Sequence, residues 1–297
     1  MRLMKPTVFV VLVLVVIAAV TLAPIPTKAQ DGPELTEFVS GNVRFVYPTE
    51  LATSITETPI EAVPFDPNGM PLWAANPAYT QYIFEEYPAP EETYYVPVIS
   101  LYPTVDFETF TMREGDFPYG FGLELDALKA LLEEQPDLTP YTELATAGRP
   151  DSLVLPYLPV ANAAQVFRTQ AEFIPFDDGW GVRYITYYSQ AVNPLRDQDL
   201  FYTFQGISND GSTYVSITFP ITSGLLPTTY PEDFDYEAFA NDYMNFLNET
   251  VAALNAQDGE LFTPTLGTLD NIVLSLSING TIDYVPTPEA TEEASGG

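Results

Sequence analysis

Apolar and polar residues alternate in short runs along most of this chain, and the spacing turns helical in only three places. Alternation over 42–47, stopped by Pro48, predicts a strand. A weaker strand pattern runs over 54–63, and Asp66-Pro-Asn-Gly69 predicts a turn with loop from there to Pro77. Two more strands are expected over 79–87 and 94–102, separated by Pro88-Ala-Pro90; Pro97 marks the second as an edge or a bulge. Leu125, Leu128, Leu131 and Leu132 then fall at helical spacing, which predicts a helix over 123–134 ended by Pro136. The proline-rich stretch 135–160 reads as a long surface excursion.

The second half alternates more cleanly. Strands are expected over 164–176 and 182–190, around a turn at Asp177-Asp-Gly179. A hairpin joins 200–207 to 213–221 through Asn209-Asp210-Gly211. Two amphipathic helices follow, over 234–254 and 266–276, the second bounded by Pro264 and Gly280. Consecutive strands with short connections, and helices grouped after them, predict an α+β fold: a mainly antiparallel β-sheet flanked by helices, as one domain over 37–280. Residues 30–37 read as a leader into that domain. Residues 281–297 are rich in Pro, Thr, Glu, Ala, Ser and Gly and read as a disordered acidic tail.

The start of the chain changes the picture. Arg2 and Lys5 precede an apolar stretch over 8–20, then Pro24, Pro26 and a Thr27-Lys28-Ala29 exit, so 1–29 reads as a secretory signal peptide. If it is not cleaved, the same segment is an N-terminal membrane anchor; once it is cleaved, no membrane insertion is expected. The protein is therefore expected to be secreted or extracytoplasmic. All 41 acidic residues but only 7 of the 10 basic ones follow Ala29, giving the remainder 7 − 41 = −34. Such a body repels phosphate backbones, so nucleic acid is excluded as a partner.

The residue inventory removes most catalytic chemistry. There is no His and no Cys, which rules out histidine-based triads, thiol nucleophiles and thiolate or imidazole zinc sites. No P-loop is present, and Lys129, the one lysine after Ala29, stands four residues before Glu133 as a helix-surface ion pair. Carboxylates remain. Asp177, Asp178, Asp197 and Asp199 occupy turns from which oxygen ligands reach a hard cation, calcium being the one they suit; as turn residues they also need no metal. A carboxylate pair acting on a glycosidic bond is the enzymatic alternative. Arg168 and Arg183, scarce cations on strands, are candidates to hold a carboxylate ligand or to neutralise acids such as Glu172. Trp73, in an expected loop among Tyr79, Tyr82, Tyr94 and Tyr95, is a candidate aromatic platform for sugars or peptides.

The runs Ala163-Ala-Gln-Val-Phe-Arg168, Gly181-Val-Arg-Tyr184 and Leu200-Phe-Tyr-Thr-Phe-Gln-Gly206 precede Asp210-Gly211, Tyr214-Val215-Ser216 and Phe219-Pro220. With Phe262-Thr-Pro264 and Leu269-Asp270 before an apolar helix, this half resembles a recurring exported bacterial domain without an assigned activity. More distantly, the order of elements and the Tyr47-Pro48 strand break resemble the PsbP-like fold, an α/β/α sandwich. That resemblance implies binding and assembly roles rather than catalysis. The resulting expectation is a non-catalytic binding or interaction protein of unknown extracellular ligand or protein partner. The alternatives are a calcium-stabilised cell-surface protein and a carboxylate-dependent glycoside hydrolase. The pattern carries no signal for an oligomeric state.

Overall fold

The computed structural model describes residues 33–66, 69, 71–114, 118–143 and 153–278. The expected signal segment 1–29, the tail 281–297 and part of the turn at 66–69 lie outside these. Among the described residues the chain runs through β1 (Leu35–Ser40), β2 (Val43–Pro48), β3 (Ser54–Ile60), β4 (Tyr79–Glu85), β5 (Val98–Pro103), β6 (Thr111–Met112) and β7 (Tyr119–Gly120). It continues through α1 (Phe121–Glu134), the single turn α2 (Thr139–Thr142), β8 (Ala164–Phe176), β9 (Gly179–Ser189), β10 (Phe201–Ser208) and β11 (Thr213–Pro220). It closes with α3 (Tyr236–Ala256), α4 (Leu266–Leu274) and β12 (Ser277–Ile278).

Seven strands form one antiparallel sheet in the order β3-β4-β5-β11-β10-β9-β8. The two halves of the chain meet at its centre, where β5 pairs with β11 and Ser100 lies opposite Ser216. A small sheet, β1-β2-β12, lies beside it. Alternation along each central strand sends side chains to two cores. Tyr202, Phe204, Val215, Ile217 and Phe219 pack with α3, α4 and Phe45 on one face. Tyr102, Tyr184 and Tyr214 pack with Leu125, Leu128 and Leu131 of α1, and with Phe107 and Phe110, on the other. The fold is α+β, a mainly antiparallel sheet with helices on both faces. The two long C-terminal helices begin where a side chain satisfies a free backbone amide: Asp235 accepts from Ala238 at 2.9 Å and Thr265 from Thr268 at 3.2 Å.

Three stretches differ from expectation. Residues 35–40, the first three of them expected in a leader, are the strand β1. Only Phe38 of its large side chains points inward, stacking on Phe45 at 5.0 Å, while Leu35 and Val39 are left outside, so no apolar alternation marked it. The strand expected from residue 94 starts only at Val98. Phe84 donates to the Pro97 carbonyl and the ladder ends there, leaving Tyr94 and Tyr95 in a loop. The third is the excursion 135–160, whose last part is not on the surface: Leu155 and Leu158 are buried and lie across the sheet as a strap.

The strap is held by a polar stripe on the α1 face of the sheet. Buried Gln205 accepts from the Leu158 amide at 3.0 Å and from the Tyr214 hydroxyl, and donates to Thr203 Oγ1 at 2.8 Å and Ser216 Oγ at 3.1 Å. Ser216 Oγ donates in turn to the Leu158 carbonyl, and the Tyr184 hydroxyl donates to Pro156 O at 2.9 Å. A buried non-helical backbone needs such partners, and the stripe provides them. At one edge of the sheet, β8 carries bulges, and Gln170 there adopts φ 54°. Its side chain donates to Leu254 O at 2.7 Å and Gln257 O at 2.8 Å, which ties the edge to the end of α3 and blunts it against further pairing.

Two outcomes follow. Gln205→Leu leaves the Leu158 amide and the Tyr214 hydroxyl without their acceptor; at about 1–3 kcal/mol per orphaned buried group, urea denaturation should show a loss of roughly 2–4 kcal/mol. Burial raises Tyr102, Tyr184, Tyr202 and Tyr214 well above the usual 10.0. The unfolded chain releases these protons near pH 10 and the folded chain does not, so their stabilisation is complete below that pH and is lost as pH rises past it. In an alkaline titration, phenolate absorbance from these four should rise only together with loss of the native circular dichroism; ionisation with the fold intact would contradict the burial.

Candidate functional site

The residues singled out by sequence go to separate places. Trp73 lies in a short 3-10 turn, Leu72–Ala74, and is half exposed. Arg168 pairs across the ladder with Thr186, and Arg183 with Glu172. Because Thr186 and Arg183 are three apart on β9, the two arginines project from opposite faces and do not close on one ligand. Arg183 is buried under α4, where Nη2 is 2.6 Å from Glu172 Oε2 and Nε 3.4 Å from Asp270 Oδ1. The second of these is an ion-pair contact without hydrogen-bond alignment. Burial raises the Asp270 carboxyl while Arg183 and the Tyr202 hydroxyl, 2.9 Å away, lower it. Arg168 donates from Nε to Tyr141 O at 3.0 Å, and burial holds its guanidinium below its ordinary value.

Three of the four aspartates have carboxylates engaged by the chain itself, while Asp177 is exposed and donates its backbone amide to Leu276 O at 3.0 Å. Asp178 accepts from the Ile278 amide and from Ser277 Oγ, docking β12 on the β8–β9 turn. Asp197 is buried, with Oδ1 accepting from the Ser223 amide and hydroxyl and Oδ2 from the Gly224 amide at 2.9 Å. Asp199 holds Arg196 through Oδ1–Nη2 at 3.0 Å, Oδ2–Nε at 3.3 Å and the Arg196 amide at 2.9 Å. Among the described residues no three acidic side chains gather where a metal ion would sit.

A cleft of about 840 Å³ lies instead at one end of the central sheet. Tyr187, Tyr188 and Ser189 line it where β9 ends, and Asn162 and Ala163 where the chain approaches β8. The loop before β5 contributes Tyr94 and Tyr95; the loop after β9 adds Gln190, Asn193 and Arg196, and Tyr230 completes the wall. The aromatic floor is built in place. Tyr95 lies 4.1 Å from the Phe201 ring, and Tyr188 is 4.9 Å from Tyr157, which the strap carries. Gln165 Nε2 donates to the Tyr188 hydroxyl at 2.9 Å. Tyr94, next in the chain, is 84% exposed and supplies a ring that nothing covers from solvent.

On the cleft wall the charges of Arg196 and Asp199 offset one another. Burial pushes the Tyr95 and Tyr188 hydroxyls up and takes Tyr157 to about 12, so all three are phenols at neutral pH, able to donate and accept. Arg196 is raised by its hydrogen bonds to Asp199 and, at 3.1 Å, to Glu92. That guanidinium therefore occupies both acids. Asp199 is the single carboxylate on the cleft wall, whereas glycoside cleavage uses two acids facing the same bond. Beyond Ala163 and Tyr188, a smaller cavity of about 200 Å³ reaches Glu124 and Gln165. Burial raises the Glu124 carboxyl, and it accepts from the Tyr157 amide at 3.3 Å.

Sequence reading missed most of this wall because Tyr94-Tyr95 and Tyr187-Tyr188 look like strand residues. The usable signal is the doublet. Adjacent strand residues face opposite ways, so two neighbouring large rings cannot share one core. No protein-family model matches the chain, and comparison with curated proteins and with solved structures likewise gave no match.

Asp197→Ala should lower stability by roughly 2–3 kcal/mol, since hydrogen bonds to a charged group contribute about 1.5–3 kcal/mol. The loss, read by chemical denaturation, should be the same in calcium and in chelator; a loss appearing only in calcium would make Asp197 a ligand.

Proposed function

We propose that this chain is an exported, non-catalytic binding protein whose ligand occupies the tyrosine-walled cleft. One observation carries the reading: tyrosine faces, amide side chains and an internally neutralised Arg196 converge on a cavity of about 840 Å³. Sites of roughly 300–1,000 Å³ with apolar walls and a few polar groups are the usual form of small-ligand pockets. Tyr94 adds to this, because a ring 84% exposed beside an anchored neighbour is surface kept for contact. The absence of His and Cys from the chain supports binding without turnover. Export rests on Arg2, Lys5, the apolar stretch 8–20 and the Ala29 exit.

The test is a thermal-shift screen of the purified chain against uncharged, anionic and cationic small molecules, beside Tyr94→Ala. A bound compound should raise Tm in the original chain and lose most of that shift in the variant. Stabilisation indifferent to Tyr94, or conversion of the compound into a product, would overturn the reading.

A further inference from the structure

We infer that the ligand of this cleft is a neutral saccharide, an inference that rests on the binding reading and names its chemical class. Charge is the first discriminator. The cation on the wall, Arg196, is engaged by Asp199 at 3.0 Å and by Glu92 at 3.1 Å, so it has no uncompensated charge for a phosphate or carboxylate ligand. Both oxygens of Asp199 are in turn engaged by Arg196, which leaves no open carboxylate on the wall for an ammonium group. The acidic body, 7 − 41 = −34 after Ala29, adds a field that repels anions before they arrive.

Among uncharged ligands, the wall chemistry separates three kinds. An extended peptide gains most of its affinity by adding a strand to an open sheet edge. Here the backbone at the cleft floor is already paired, Ala164 with Ser189 and Gln165 with Tyr188, so the cleft lies across strand ends and not along an edge. Gln190 donates to Asn162 O at 2.5 Å and Asn193 to Ser189 Oγ at 3.2 Å, and a purely apolar ligand would dehydrate the remaining polar atoms of these amides without a partner, at a cost per group of about 1–3 kcal/mol. A sugar ring meets both demands. Its C–H face covers a tyrosine ring, and its hydroxyls donate and accept around the perimeter, where amides and phenols do the same.

The floor is also preorganised for such a ring. Tyr95 is fixed by packing on Phe201, and Tyr188 by packing on Tyr157 and by the hydrogen bond from Gln165 to its hydroxyl. Little side-chain freedom remains to be lost there on binding. Exposed Tyr94 is then the ring whose truncation separates contact from folding.

The experiment is isothermal titration of the purified chain with three probe sets: neutral oligosaccharides differing in ring configuration, uronate-containing oligosaccharides, and uncharged peptides. At least one neutral oligosaccharide should bind, with affinity nearly unchanged between low and high salt. Tyr94→Ala should weaken it about tenfold, equivalent to ~1.4 kcal/mol, at unchanged Tm, and Tyr94→Phe should keep it within about threefold. Tyr94-dependent binding of a uronate or a peptide, with the neutral sugars silent, would overturn the saccharide class and leave the binding reading standing. Silence from all three sets would overturn it as well, and the small-molecule thermal-shift screen then decides the binding reading on its own.

Discussion

Gln205 has no contact with solvent, and its amide uses two donor and two acceptor positions inside the protein. A buried amide is tolerable only when it is satisfied in this way, because each unmet group would cost more than a made bond returns. Its position at the centre of β10 lets it join three things at once: the neighbouring strand through Ser216, the tyrosine core through Tyr214, and the strap through Leu158. The strap carries Tyr157 under Tyr188 and Phe201, so the floor of the cleft is fixed from the middle of the sheet. The loop before β5 adds Tyr95 to that floor, against Phe201.

Charge is arranged to the same end. A body this acidic has few cations to place. Arg183 and Arg196 each hold two acids, and Arg113 holds both Glu108 and Asp126. Exposed pairs of this kind contribute little to stability. Arg183 differs, because α4 and β8 bury it and its loss would strand Asp270 beneath the sheet. At the cleft the consequence is that Arg196 carries no uncompensated positive charge.

Much of the fold was legible because central strands alternate and the amphipathic helices do not compete with them. The hairpin of β10 and β11 around Asn209-Asp210-Gly211 and the stripe of α3 fall within a few residues of where periodicity puts them. The failures have a common cause. β1 keeps two aliphatic residues outside, and the strap is buried through polar contacts to Gln205 and Ser216; neither leaves an apolar period to read. Arginines and aspartates drew attention as rare or clustered charges, yet Asp197 spends its carboxylate on the 223–224 backbone and Arg183 on Glu172. The cleft residues come from four separated segments. Only the tyrosine doublets hinted at them, since alternation hides which of two adjacent rings will be left over.

The pairing of β5 with β11 joins segments more than a hundred positions apart. Until residues 213–220 have been made, β3, β4 and β5 form at most a three-stranded sheet whose β5 edge lacks the neighbour that closes it. An N-terminal half completed first therefore waits with an adhesive border, while the C-terminal half, built of adjacent hairpins, can organise within itself. Assembly is then a docking of a ready second half onto a waiting first one. The densely acidic surface, which keeps separate chains apart, guards that interval against pairing with the wrong partner.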